Sequence, residues 1–116
     1  MILKNREEVV SHANARGRER VVDIIEAGLE AVDPYVNTGK LIRIEDGQLR
    51  VGGSPEMDLS GLGDEVMDLS QIQNIYVLGA GKTVQRQAKA LEDVLGDRLT
   101  AGAITIKKGE EVYLKK

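Results

Sequence analysis

The residues best suited to chemistry lie in one short stretch, Gly79-Ala80-Gly81-Lys82-Thr83. An apolar run, Ile75-Tyr76-Val77-Leu78, leads into it and a helical pattern follows, so it is expected to turn a strand into a helix. Glycines in such a turn allow a tight reversal and let backbone N–H groups approach an anion with no Cβ in the way. The lysine needs a further reason. A helix N-terminus is already electropositive, and an added cation there costs from a few tenths of a kcal/mol to about 1. A phosphate or carboxylate bound at the loop would supply that reason, with Lys82 as a point charge on it. Spacing alone fits equally a solvated lysine that falls on a first turn.

Two phosphate-loop patterns can be tested against the stretch. A P-loop requires glycine five positions before its Gly-Lys pair, and that position is Tyr76, inside the strand. A dinucleotide fingerprint fits Gly79-x-Gly81 but meets Val84 where a third small residue belongs. The next strand then ends in Lys107 and Lys108 instead of a ribose-binding acid.

Other reactive side chains are few. The chain has no cysteine, which excludes disulfides and zinc–thiolate sites, and its one histidine, His12, reads as a solvated helix residue four positions after Glu8. Asp58, Asp64 and Asp68 lack the ligand spacing of a calcium loop and suit turn and cap duties, and no metal site is assigned. Sixteen basic residues against nineteen acidic ones give a net charge of −3, so no basic field for a nucleic-acid backbone is expected. No apolar run is long enough to span a bilayer, and the start of the chain lacks a signal peptide's apolar stretch. A cytoplasmic protein without nucleic-acid or membrane partners is expected.

The elements that must position the loop are an α/β set. Residues 1–33 read as one long helix, opened by Asn5 with Glu8 at capping-box spacing, carrying an apolar stripe through Val21, Ile25, Leu29 and Val32, and ended by Pro34. Residues 41–51 read as a β-hairpin about Asp46-Gly47, with Ile42 opposite Val51 and Ile44 opposite Leu49. On the other side of that hairpin Arg43 would face Arg50, a like-charge pair read as screened by Glu45 and solvent in preference to a functional pair with an anion between them. Residues 52–73, with Met-Asp-Leu-Ser at Met57 and again at Met67, read as a connector holding a short helical turn at Asp64 to Met67. Residues 74–107 have the order of one βαβ unit with a right-handed crossover, its first strand buried on both faces. Its helix stripe is Val84, Ala88, Leu91 and Leu95, and Gly96 closes it. The tail, 108–116, would add a short strand with Val112 and Leu114 facing together.

Ala31-Val32-Asp33-Pro34-Tyr35, the strand entering Gly79-Ala80-Gly81-Lys82, and Ala90 to Leu99 with Gly102 before the next strand resemble, in that order, the amino-terminal part of the glycerate 2-kinase family. That family has also been described as hydroxypyruvate reductase. The resemblance implies a partial Rossmann-like, doubly wound domain, ATP and magnesium as cofactors, and transfer of a phosphoryl group to the 2-hydroxyl of D-glycerate or a similar hydroxy acid. It implies Lys82 as the active-site lysine, with Gly79, Ala80, Gly81, Lys82 and Thr83 contacting phosphate or substrate. Two departures stand out: Thr83-Val84-Gln85-Arg86-Gln87 is bulkier than the family's pattern, which puts tight packing of the helix start in question, and the stretch from Gly52 to Ser70 is longer. The sequence ends before the family's His-Pro segment and second domain. A piece of this kind is expected to be inactive alone and to be completed by the missing domain, another chain or a homo-oligomer. A non-catalytic anion-binding or assembly module is the other reading.

Overall fold

The computed structural model describes residues 2–52 and 63–116. The first Met-Asp-Leu-Ser copy and Asp58 lie outside the described residues. The chain divides into two compact units, Met1–Asp33 and Pro34–Lys116.

The first unit corrects the expectation of a single helix. Helix α1 spans Arg6–Val10 and α2 spans Ala15–Ala31. Asn14 breaks the run by adopting the left-handed conformation, at φ 60° and ψ 47°, which asparagine tolerates better than most residues. From there its side chain caps α2, accepting the N–H of Gly17 at 3.3 Å. A Cβ on Gly17 would lie 2.5 Å from the Asn14 amide, so this glycine makes room for the cap. Asn5 makes no side-chain cap, and His12 falls in the exposed bend between the helices instead of on a helix. The opening segment is tied down by Glu26, whose Oε1 accepts the N–H groups of Ile2 (3.0 Å) and Leu3 (3.1 Å) while Oε2 pairs with Arg6 (2.7 Å).

In the second unit, Pro34 opens a helix as well as closing one. Helix α3, Pro34–Leu41, was not expected from the sequence; proline's fixed φ and absent N–H suit a first helical position. Strands β1 (Ile42–Glu45) and β2 (Gln48–Val51) then form the hairpin in the expected register, with Ile42 opposite Val51 and Arg43 opposite Arg50. Asp46 and Gly47 carry φ values of 50° and 74°, the positive pair that a two-residue turn requires.

Residues 64–67 form no helical turn. Glu65–Asp68 is strand β3, antiparallel to β2, because the hairpin offers an edge whose backbone groups need partners. Asp68 does serve as a cap, accepting the N–H of Ser70 at 2.9 Å. Asp64 has another role: its carboxylate lies 2.6 Å from Arg43 and 3.6 Å from Arg50, and Glu45 pairs with both arginines at 3.2 and 3.4 Å. Two carboxylates thus hold the like-charged pair together, where the sequence had suggested one.

The βαβ unit is present as β4 (Ile75–Ala80), α4 (Val84–Leu95) and β5 (Leu99–Thr105), with β4 and β5 parallel. Val84, Ala88 and Leu95 are buried on α4, as the stripe requires. The core joins the hairpin to this unit through Ile42, Leu49, Leu69, Leu95 and Leu99. Arg98 adds a polar tie by donating to the carbonyls of Leu69 (2.9 Å) and Ile72 (2.8 Å). Strand β4 is not buried on both faces: Tyr76 is 62% and Leu78 81% exposed, because among the described residues of this unit α4 packs on the other face of the two-stranded sheet. The tail forms no strand either; among the described residues it joins no ladder, and Val112 is exposed while Leu114 is half-buried.

Removing Asp64 should leave Arg43 and Arg50 to Glu45 alone. We expect Asp64→Ala to destabilise the chain by about 1 kcal/mol at low salt, as loss of one member of a charge network does. Raising the salt to about 1 M should recover part of that loss by screening the arginines from each other. Urea denaturation at both salt concentrations checks it.

Candidate functional site

The strand-to-helix turn lies where the sequence places it. Strand β4 ends at Ala80, Gly81-Lys82-Thr83 form the bend, and α4 begins at Val84. This is the carboxyl end of a parallel sheet, the end at which open α/β sheets bind ligands.

The two glycines do different work. Gly81 has φ +126° with open space around it, so its need is conformational. Gly79 is required by packing: a Cβ there would lie 2.4 Å from Cγ2 of Val84 and 3.4 Å from Cγ2 of Ile104. The absent side chain lets the first turn of α4 sit down on β4. The bulky, polar start of α4 therefore packs tightly, because Val84 fills the gap that Gly79 leaves and Gln85 turns to a buried position of its own, 6% exposed.

The bend presents unused donors. Thr83, the residue before α4, makes no side-chain cap. Its carbonyl accepts from Arg86 (3.1 Å) and Gln87 (3.2 Å), and its hydroxyl lies 3.5 Å from Oε1 of Gln87. Among the described residues no hydrogen bond takes up the backbone N–H of Lys82, Thr83 or Gln85. The Lys82 side chain is exposed and forms no ion pair there. An electropositive helix start with free N–H groups suits an oxyanion.

The pairing of Ala80 with Thr105 brings a second cationic stretch to the same end of the sheet. Ile106-Lys107-Lys108 leave β5 beside the loop, with both lysines exposed, and Glu110 and Glu111 follow after the turn at Gly109. The sequence counted Lys107 and Lys108 only against a ribose-binding acid, and the register needed to add them to the loop was not legible. A hollow of about 250 Å³ also borders the loop, lined among others by Thr38, Gly79, Ala80, Val84 and Gln87. Gly81, Lys82 and Thr83 are not among its lining residues, so the hollow and the cationic bend are neighbouring features.

On the opposite flank of α4, Tyr35 of α3 donates to Asp93 at 2.9 Å, and Lys89 pairs with the same carboxylate. The Lys89 bond, with the Tyr35 hydroxyl second, holds the Asp93 carboxyl below the usual aspartate range. Among the described residues no group of three or more histidine, aspartate or glutamate side chains comes together that could hold a metal ion, and no helix is long and apolar enough to cross a membrane.

Comparison with models of protein families matches residues 20–116 to the family described as Domain of unknown function (DUF4147). This domain is found at the amino terminus of glycerate kinase-family proteins. Comparison with curated proteins and with solved structures gives no match.

The packing role of Gly79 makes a coupled prediction. Gly79→Ala should destabilise by about 1–3 kcal/mol, the usual cost of overpacking. Adding Val84→Ala should restore part of that loss, because it removes the group the new methyl meets. Thermal unfolding of both single variants and the double variant measures the coupling, and simple additivity would contradict the contact.

Proposed function

Since the chain belongs to the DUF4147 family, whose members form the amino-terminal domain of glycerate kinase-like proteins, we propose that the loop Gly79-Ala80-Gly81-Lys82-Thr83 is the anion-contacting element of such a kinase. The complete enzyme would transfer the γ-phosphoryl group of ATP to the 2-hydroxyl of D-glycerate. The observation that carries this reading is the conjunction at one end of the sheet: free N–H groups at Lys82, Thr83 and Gln85, with the cations Lys82, Lys107 and Lys108 on the two segments that leave the strands there.

The donors suit either a phosphate or a carboxylate, since both offer charged oxygens to N–H groups and ammonium. Lys82 would stabilise charge on the transferring phosphoryl group or hold the glycerate carboxylate. Magnesium, when bound, would supply neutralisation of the charge that develops in phosphoryl transfer. The described residues bring together no donor set that fits it, so this reading gives them no part in holding the ion. The groups that position the acceptor hydroxyl of the glycerate, and the rest of the nucleotide site, would come from the second domain or a completing chain.

A non-catalytic anion-binding or assembly module is the second reading, favoured by the bare apolar face at Tyr76 and Leu78. Turnover separates the two. In the complete kinase, Lys82→Ala should lower kcat by about 100-fold or more, the scale of losing one preorganised charge-stabilising donor. The melting temperature should stay nearly unchanged, because Lys82 is exposed and its side chain forms no hydrogen bond or ion pair among the described residues. A coupled assay with ATP and D-glycerate measures the first and calorimetry the second; undiminished turnover in the variant would remove Lys82 from the chemistry, and absence of turnover in the unaltered complete protein would leave the module reading.

A further inference from the structure

Gln85 and Glu92 are the two buried polar residues of α4, 6% and 8% exposed, and they stand seven positions apart on one flank of the helix. Both face residues 111–116. Gln85 reads that segment as a neighbouring strand would: its Nε2 donates to the carbonyl of Glu111 (3.1 Å) and its Oε1 accepts the N–H of Tyr113 (3.2 Å). Beyond Leu114, Glu92 takes two successive donors with one oxygen, accepting the N–H of Lys115 (2.7 Å) and of Lys116 (2.8 Å). Lys116 finishes the seat by donating through Nζ to the carbonyls of Leu99 (3.0 Å) and Gly96 (3.3 Å).

We propose that this flank of α4 is a binding seat for an extended backbone, and that residues 111–116 are its releasable occupant, a strap held by polar contacts and poised to lift. The apolar anchorage is slight. Val112 and Tyr113 are 63% and 46% exposed, and Leu114, half-buried, lines a cavity of about 40 Å³ with Val77, Ala88, Gly102 and Ile104. No β-ladder joins the segment to β4 or β5 among the described residues. The hold therefore rests on side chains of α4 that recognise amide and carbonyl groups, which every extended segment offers.

Glu92 is the group that decides the hold. Its second oxygen is buried without a hydrogen bond, and the nearest cation, Lys89, stands 3.6 Å away, itself shared with Asp93. The strap presents the amides of Lys115 and Lys116, and the strands lining the cavity present only Val77, Leu99, Gly102 and Ile104. Burial pushes the Glu92 carboxyl up, and the two amides with Lys89 outweigh it and hold the carboxyl below its ordinary value. A lowered folded value means that the contribution is fully present above the ordinary glutamate value of 4.5 and is lost as pH falls through the folded value. The inference rests on this geometry alone, whatever the glycine loop binds.

Amide exchange followed by NMR on the full chain tests it. The amides of Tyr113, Lys115 and Lys116 should exchange at least about tenfold more slowly, relative to unstructured rates, than those of Val112 and Leu114. Lys115→Pro removes one donor without touching α4. It should abolish the protection at Tyr113 and Lys116, leave β4–β5 protected, and raise the midpoint of the Glu92 carboxyl in a ¹³C titration. Glu92→Gln should reduce protection at positions 115 and 116. Equal exchange at 112 to 116 in the unaltered chain, protection at 113 and 116 that survives Lys115→Pro, or an unmoved Glu92 midpoint would each overturn the strap. Loss of β4–β5 protection in Lys115→Pro would show the segment to be a fixed part of the core and would overturn its release.

Discussion

The close approach of α4 to β4 is the constraint on which the second unit depends. It is made possible by a missing side chain: Gly79 leaves the space that Val84 enters, with Ile104 of β5 closing the third side. With the helix seated there, Ala88, Leu91 and Leu95 continue the same contact line. Its far end meets Leu99 and the hairpin residues Ile42 and Leu49 in one core. The same contact fixes where the helix begins, so it also sets the bend of Gly81-Lys82-Thr83 at the sheet's carboxyl end. A packing requirement thus determines the position of the candidate anion loop.

One polar device recurs in both units. Glu26 on α2 accepts two successive backbone N–H groups, from Ile2 and Leu3, and Glu92 on α4 accepts two more, from Lys115 and Lys116. Each carboxylate has a cation close by, Arg6 in one case and Lys89 in the other. The Leu3 amide, followed by Ile2 and Arg6, outweighs burial and holds the Glu26 carboxyl below its ordinary value. Hydrogen bonds to a charged acceptor are stronger than neutral ones, which lets a helix hold a segment that contributes little apolar surface of its own. The grip is on the backbone, so the identity of the held residues matters less than their spacing.

What could be read from the sequence was what depends on local chemistry. Asp46-Gly47 dictates a two-residue turn, and that turn fixes the register of β1 and β2 down to the Arg43–Arg50 pair. The apolar run, the two glycines and the four-residue rhythm of α4 sufficed for the βαβ unit and for the location of Lys82. The misses share a different cause. Strand β3 exists because β2 offers an edge, which its own four residues, Glu-Val-Met-Asp, do not announce. The break at Asn14 depends on a left-handed residue that can also cap, and Pro34 was read as a stop when it is equally a start. Gly79 carries a packing duty that sequence assigned to ligand approach, since its partner Val84 is identified only by the fold. Gln85 and Glu92 did carry a signal, two polar residues seven apart beside the apolar stripe, but the segment they hold lies more than twenty residues away.

The uncovered face of β4 also bears on how the molecule behaves in concentrated solution. Leu78 and Tyr76 are exposed on one face of a two-stranded sheet, and a net charge of −3 provides only weak mutual repulsion between molecules. Salt that shortens the reach of that repulsion, or acid that titrates the carboxylates toward electroneutrality, removes the barrier and leaves short-range attraction between the bare faces. Attraction between the exposed Tyr76 and Leu78 side chains of separate molecules is therefore opposed most in dilute, low-salt buffer above neutral pH.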